Sequence, residues 1–119
     1  SGMTVIDAGA NIGTHSLAFS SMVGKEGRVL AFEPQRLIFY MLAGNVALNS
    51  VGNVWCYYSA VSNERGSIKV EQLDFEESHN FGGLKIEEHI SMNKFEEVPV
   101  TVIDDLALNA CHLIKADVE

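Results

Sequence analysis

The stretch from residue 3 to residue 15, MTVIDAGANIGTH, constrains the fold more than any other part of the chain. A short apolar run, Val5 and Ile6, ends in the acid Asp7, and two glycines four apart, Gly9 and Gly13, follow before residues able to begin a helix. That order describes a parallel strand turning sharply into a helix. Gly9 permits a turn at which a Cβ would clash, and Gly13 lets the helix start close to the strand. Loop amides are then expected to point at whatever lies above the strand's C-terminal end. About 20 residues past the loop, the run Arg28 to Phe32 reads as a second strand, with Glu33 at its tip placed to accept both hydroxyls of a ribose.

Two cofactor classes use such a geometry. A nicotinamide dinucleotide asks for Gly-x-Gly-x-x-Gly, since its pyrophosphate needs close backbone approach and the positive end of the helix dipole. Here the matching positions hold Gly9, Asn11 and Thr14. Two of the three glycines are absent, and Asp7 would repel a pyrophosphate. S-adenosylmethionine, which carries a sulfonium and an amino group, is instead attracted by an acid at that place.

Four blocks, VIDAGANIG at 5–13, AFEP at 31–34, NVALN at 45–49 and LIKADVE at 113–119, make the chain resemble the FkbM family of methyltransferases. They lie in the family's order and span nearly the whole chain. The resemblance implies a Rossmann-like class I methyltransferase fold, bound S-adenosylmethionine and, most often, O-methylation of a small-molecule, sugar or lipid hydroxyl. It also implies a parallel sheet in the order 3-2-1-4, with the C-terminal part of the fold missing. One hundred and nineteen residues make a single domain with a real core, yet too few for a whole domain of that class.

A formal net charge of −8 with eight scattered Lys and Arg argues against a nucleic-acid backbone as partner. No apolar run suggests a membrane helix and no basic start precedes a signal core, so a soluble, cytoplasmic protein is expected. Cys56 and Cys111 lie in apolar runs without metal spacing and read as reduced core thiols. His79 and His89 lack metal-ligand partners at sensible spacing.

Along the chain, residues 14–23 read as the first crossover helix, stopped by Gly24 and Gly27, and residues 34–49 as the second. Gly44 in the second helix should mark a close contact with the sheet, and Asn49 or Gly52 should take the positive φ that ends it. Residues 54–58 are apolar on both faces and read as a buried third strand, whose exit at Ser59 and Ala60 would lie along an adenine. Residues 67–72 and the alternation of Val98, Val100 and Val102 suggest an extra antiparallel pair, with Pro99 favouring an edge. Between them, residues 80–83 are a candidate lid in a long acidic segment. Asp104 reads as an N-cap, residues 113–116 as the fourth strand, and Lys115 within it as needing a carboxylate, for which Asp105 is nearest in sequence.

Asp7, Gly9, Ala10, Asn11, Gly13, Glu33, Ser59 and Ala60 are thus the candidate cofactor-binding residues. Asp117 and Glu119, with His15 third, are the candidates for orienting or deprotonating an acceptor. No metal is expected. A non-catalytic cofactor-binding or interaction module is the competing reading, and a nicotinamide oxidoreductase is a weaker third. The fourth strand would leave an open edge, so the 119 residues are expected either to be an internal section of a longer chain or to pair there as a homodimer.

Overall fold

The computed structural model describes residues 2–72, 94–106 and 113–116. A four-stranded parallel sheet contains β1 (Thr4–Ala8), β2 (Arg28–Phe32), β3 (Val54–Tyr57) and, late in the chain, β7 (Leu113–Ala116). Its order is β3-β2-β1-β7, as the 3-2-1-4 expectation requires. β1 lies between two parallel neighbours, and all five of its residues are buried.

Two crossover helices, α1 (Thr14–Val23) and α2 (Arg36–Leu48), connect the first three strands. Both connections step outward in the same direction from β1, so a right-handed hand places both helices on one face. There Val23, Leu42 and Val46 pack on Val5, Val29, Ala31 and Val54. The other face carries Ile6, Leu30 and Phe32, partly covered by Val61, Ile103 and Leu106.

A second, three-stranded sheet has the order β4-β6-β5, from β4 (Ala60–Val61), β5 (Gly66–Glu71) and β6 (Phe95–Thr101). β5 and β6 are the antiparallel pair expected from their alternation. β4 pairs parallel with β6, which makes β6 the central strand and corrects the edge placement of Pro99. β4 pairs only with Val100 and Thr101, so at Pro99 the β4 side has not yet been joined and a missing N–H costs no ladder bond there.

Other differences have similar local causes. β3 closes the sheet's edge, and its Trp55 and Tyr57 are 47% and 40% exposed, so the strand is not buried on both faces. α2 begins at Arg36 and not at Pro34, because the Glu33 carboxylate holds the Gln35 N–H and keeps that segment extended. Gly44 has no atom within 4 Å of where a Cβ would stand; Leu42 and Val46 carry the contact with the sheet instead. Ser50, at φ 54°, takes the left-handed position expected of Asn49 or Gly52. Asp104 lies inside a short 3-10 turn (Ile103–Leu106) and not at the position before it, while residues 107–109 of the segment it is expected to cap lie outside the described residues. Cys56 is a half-buried free thiol pushed up in pKa by burial, while Cys111 lies outside the described residues. Among the described residues, no helix is long and apolar enough to cross a membrane.

Candidate cofactor site

The loop after β1 puts Gly9, Asn11 and Gly13 at φ 75°, 56° and 99°, three left-handed residues at alternate positions. Asn tolerates this region better than other side chains because it bonds locally. Here Asn11 Oδ1 accepts the N–H of Ile12 at 2.8 Å. At Gly13 a Cβ would stand 2.9 Å from Leu42 Cδ1, so the close approach that demands glycine is to α2.

Every amide from Gly9 to Gly13 donates within the protein. Gly9 and Ala10 both donate to the Phe32 carbonyl at 2.9 Å, and Gly13 donates to the Ala10 carbonyl at 3.1 Å. Asn11 N–H donates to Glu33 Oε1 at 2.8 Å, and Ile12 to the Asn11 side chain. The expectation that these amides face a ligand is therefore corrected: the tight alternation of left-handed residues folds their donors inward.

Glu33 is 6% exposed and joins two elements. Its second oxygen, Oε2, accepts the Gln35 N–H at 3.0 Å, so one carboxylate ties the loop to the start of α2. Burial raises its pKa, and the Gln35 and Asn11 hydrogen bonds oppose that rise only in part. An ionised carboxylate offers about four lone-pair sites, of which these bonds use two.

Gly9, Asn11, Glu33, Ser59 and Ala60 come together on one cavity of about 510 Å³ above the C-terminal ends of β1 and β2. The cavity's far wall is β5, through Ile68, Val70 and Glu71, none of which is among the candidate cofactor-binding residues. Gln35 Nε2 donates to the Glu71 carbonyl at 2.7 Å, and Gln72 Oε1 accepts the Arg36 N–H at 2.8 Å. These bonds fasten the second sheet to the entrance of α2. Arg36 also pairs with Glu96 on β6 at 2.9 Å, and Tyr58 OH donates to the same carboxylate. Burial, reinforced by that carboxylate, pushes Tyr58 up to about 12. Alternation in residues 67–72 announces a strand, but no local signal reports these long-range ties.

Ser59 is buried, and its hydroxyl lies within hydrogen-bond distance of the Ala60 and Pro99 carbonyls and of Thr101 Oγ1. Its side chain holds β4 to β6, and both Ser59 and Ala60 line the cavity. Ala10 is buried in the core, and neither it nor Gly13 lines the cavity. Asp7 is wholly buried under the loop, where Oδ2 accepts from Ser16 Oγ at 2.6 Å and Oδ1 pairs with Lys115 Nζ at 3.3 Å. Lys115 thus has Asp7 as its carboxylate; Asp105, the nearer residue in sequence, pairs with Arg65. His15 is exposed on the first turn of α1, beside Phe19 and away from the cavity wall. Asp117, Glu119, residues 80–83, His79 and His89 lie outside the described residues. Among the described residues no cluster of His, Cys, Asp and Glu could hold a metal.

The family described as Methyltransferase FkbM domain matches residues 7–119. Among solved structures, Methyltransferase FkbM from Methylobacillus flagellatus KT aligns with a TM-score of 0.61 at 23% identity, over 98% of this chain and 26% of that one. A SAM dependent methyltransferase from Aquifex aeolicus aligns with a TM-score of 0.50 at 29% identity, over 56% of this chain and 34% of the other. A protein-L-isoaspartate O-methyltransferase aligns with a TM-score of 0.50 at 28% identity, over 50% and 19%. The chain spans at most 34% of the length of these three structures. No curated protein matches the chain.

Proposed function

The chain belongs to the FkbM methyltransferase family, and from that premise we propose that it binds S-adenosylmethionine in the cavity between the Gly9–Gly13 loop and β5, for methyl transfer to a hydroxyl of a small molecule, sugar or lipid. When bound, the cofactor supplies an electrophilic sulfonium methyl. The single observation that carries this reading is the hydrogen-bond state of the loop: its five amides are already engaged, while a buried carboxylate, Glu33, stands at the cavity wall with acceptor capacity left. A pyrophosphate needs the former to be free. A ribose diol on a cationic ligand needs the latter.

Glu33 would accept the ribose hydroxyls, and the Gly9 and Asn11 backbone would pack under the sugar. The backbone of Ser59 and Ala60 would face the adenine edge, with Ile68 and Val70 closing over its ring from β5. Asp7, bonded to Ser16 and Lys115, would support the loop from below. An acceptor hydroxyl needs an in-line approach and a base. Asp117 and Glu119, just beyond β7, are the candidates for that role, with His15 third.

Thermal unfolding in the presence of S-adenosylmethionine, S-adenosylhomocysteine and NAD in parallel tests the reading. A ligand at 100 times its dissociation constant adds about 2.7 kcal/mol to folding. Stabilisation by the two adenosyl sulfur compounds and not by NAD is expected, and it should be lost in Glu33→Ala. Equal stabilisation by NAD refutes the cofactor assignment.

A further inference from the structure

β7 is a four-residue strand with little apolar burial, for Leu113 is 41% and Ile114 50% exposed. Among the described residues it pairs with β1 alone, in the register Val5↔Leu113, Ile6↔Ile114, Asp7↔Lys115 and Ala8↔Ala116. Side chains alternate between faces, so a slip of one residue would turn Lys115 to the opposite face. A slip of two would carry it to the level of Val5 or Gly9. Exposed leucine and isoleucine side chains discriminate poorly among these arrangements.

A charge does discriminate. Asp7 is wholly buried, its Oδ2 is committed to Ser16, and among the described residues no hydrogen bond reaches Oδ1. Lys115 Nζ, 3.3 Å away on a side chain only 21% exposed, supplies the counter-charge. In any slipped register the buried carboxylate would lose the counter-charge that it has among the described residues, which is the costly half of breaking a buried pair.

We propose that Lys115 is a positioning residue: with Asp7 it forms the key that sets the register of β7 against β1 and so holds Ala116 beside Ala8, next to the Gly9 wall of the cavity. Its consequence for ligand binding rests on the cofactor reading above, whereas the register itself does not.

Interstrand nuclear Overhauser contacts between β1 and β7 read the register without any ligand. The parent protein should show the Ile6–Ile114 and Asp7–Lys115 levels as one pattern. Lys115→Arg should keep it and Lys115→Met should lose it. Should Lys115→Met fail to fold, the neutral double variant Asp7→Asn, Lys115→Met removes the stranded charge and should fold with more than one β7 pattern. A single parental pattern in Lys115→Met or in the double variant overturns the proposal. Calorimetric titration with S-adenosylhomocysteine then reads the positioning role. Lys115→Met, or the double variant in its place, should bind about tenfold more weakly or worse, as expected for a wall displaced by about 1 Å. Lys115→Arg should stay within about threefold of the parent. Unchanged affinity in a variant whose register has slipped overturns that role. A parent that does not bind S-adenosylhomocysteine refutes the cofactor reading and leaves the contact pattern to judge the register key.

Discussion

Gly13→Ala separates two reasons for a glycine at that place. The residue sits at φ 99°, where an L side chain costs about 1–2 kcal/mol. Its new Cβ would also stand 2.9 Å from Leu42 Cδ1, against a comfortable carbon contact of about 3.5–4.0 Å. Leu42 is fully buried between α2 and the sheet, so it cannot swing into solvent, and overpacking of this kind costs about 1–3 kcal/mol. The sum is about 2–5 kcal/mol, a large part of the stability of a domain this size. Leu42→Val removes the offending atom and alone should cost about 1 kcal/mol. In that background, Gly13→Ala should cost only its backbone share. The two substitutions should therefore couple by about 1–3 kcal/mol, far outside the ~0.5 kcal/mol scatter of independent sites. Urea unfolding can follow this through the single tryptophan, Trp55, which sits on β3 in register with Leu30. Additive behaviour, or a loss below about 1 kcal/mol for Gly13→Ala alone, would refute the contact with α2 as the reason for this glycine.

Gly44→Ala is the matched control, since the same change in the interior of α2 meets open space. It should stabilise the protein by about 0.5–1 kcal/mol, seen as a higher urea midpoint with an unchanged slope; a lower midpoint would mean that this part of α2 is packed against something. For Glu33 the sign of the pH effect follows from a pKa raised by burial above 4.5. Its contribution to folding is present below that ordinary value and lost as pH rises through the folded one, whereas ribose hydroxyls favour the ionised form. Affinity for S-adenosylhomocysteine should therefore fall as pH drops through the raised pKa, and calorimetry on Glu33→Gln should show a weaker but flatter profile. An equally steep profile in that variant would assign the titration to another group.

The elements legible in the sequence were those whose signals are local. Strand β1, the loop, α1 and β2 follow from an apolar run, two glycines, a helical period and an acid at a strand tip, all within residues 3–33. The unreadable features depend on partners brought in by the fold. Lys115 reaches Asp7 because β7 pairs with β1, and proximity in sequence favoured Asp105 instead. Gln72 caps α2 from the end of β5, and Asn53 closes α1 by donating to the Ser20 and Gly24 carbonyls, yet neither position follows the helix-end patterns that sequence analysis uses. Gly44 looked like a contact site and Ser50 did not look like a left-handed residue, because propensity ranks residues without knowing what surrounds them.

Asn11 joins the two halves of that account. At the middle position of the dinucleotide fingerprint it removes the glycine that would let a pyrophosphate approach, a deduction available from the residue type alone. What the structure adds is the fate of the donors. The left-handed backbone at Asn11 sends its own N–H to Glu33, and its side chain takes the N–H of Ile12. The Asn11 side chain thus withdraws the Ile12 amide from any anion, while the Asn11 backbone amide is held on the carboxylate that a ribose would meet. Restoring glycine at residue 11 would return only the Ile12 amide, because the Asn11 bond is made by the backbone. The Glu33 bond therefore keeps the loop closed to a pyrophosphate whatever side chain stands there. The proposed preference for a diol on a cationic ligand accordingly rests on the geometry linking β1, β2 and α2, and not on the missing glycine by itself.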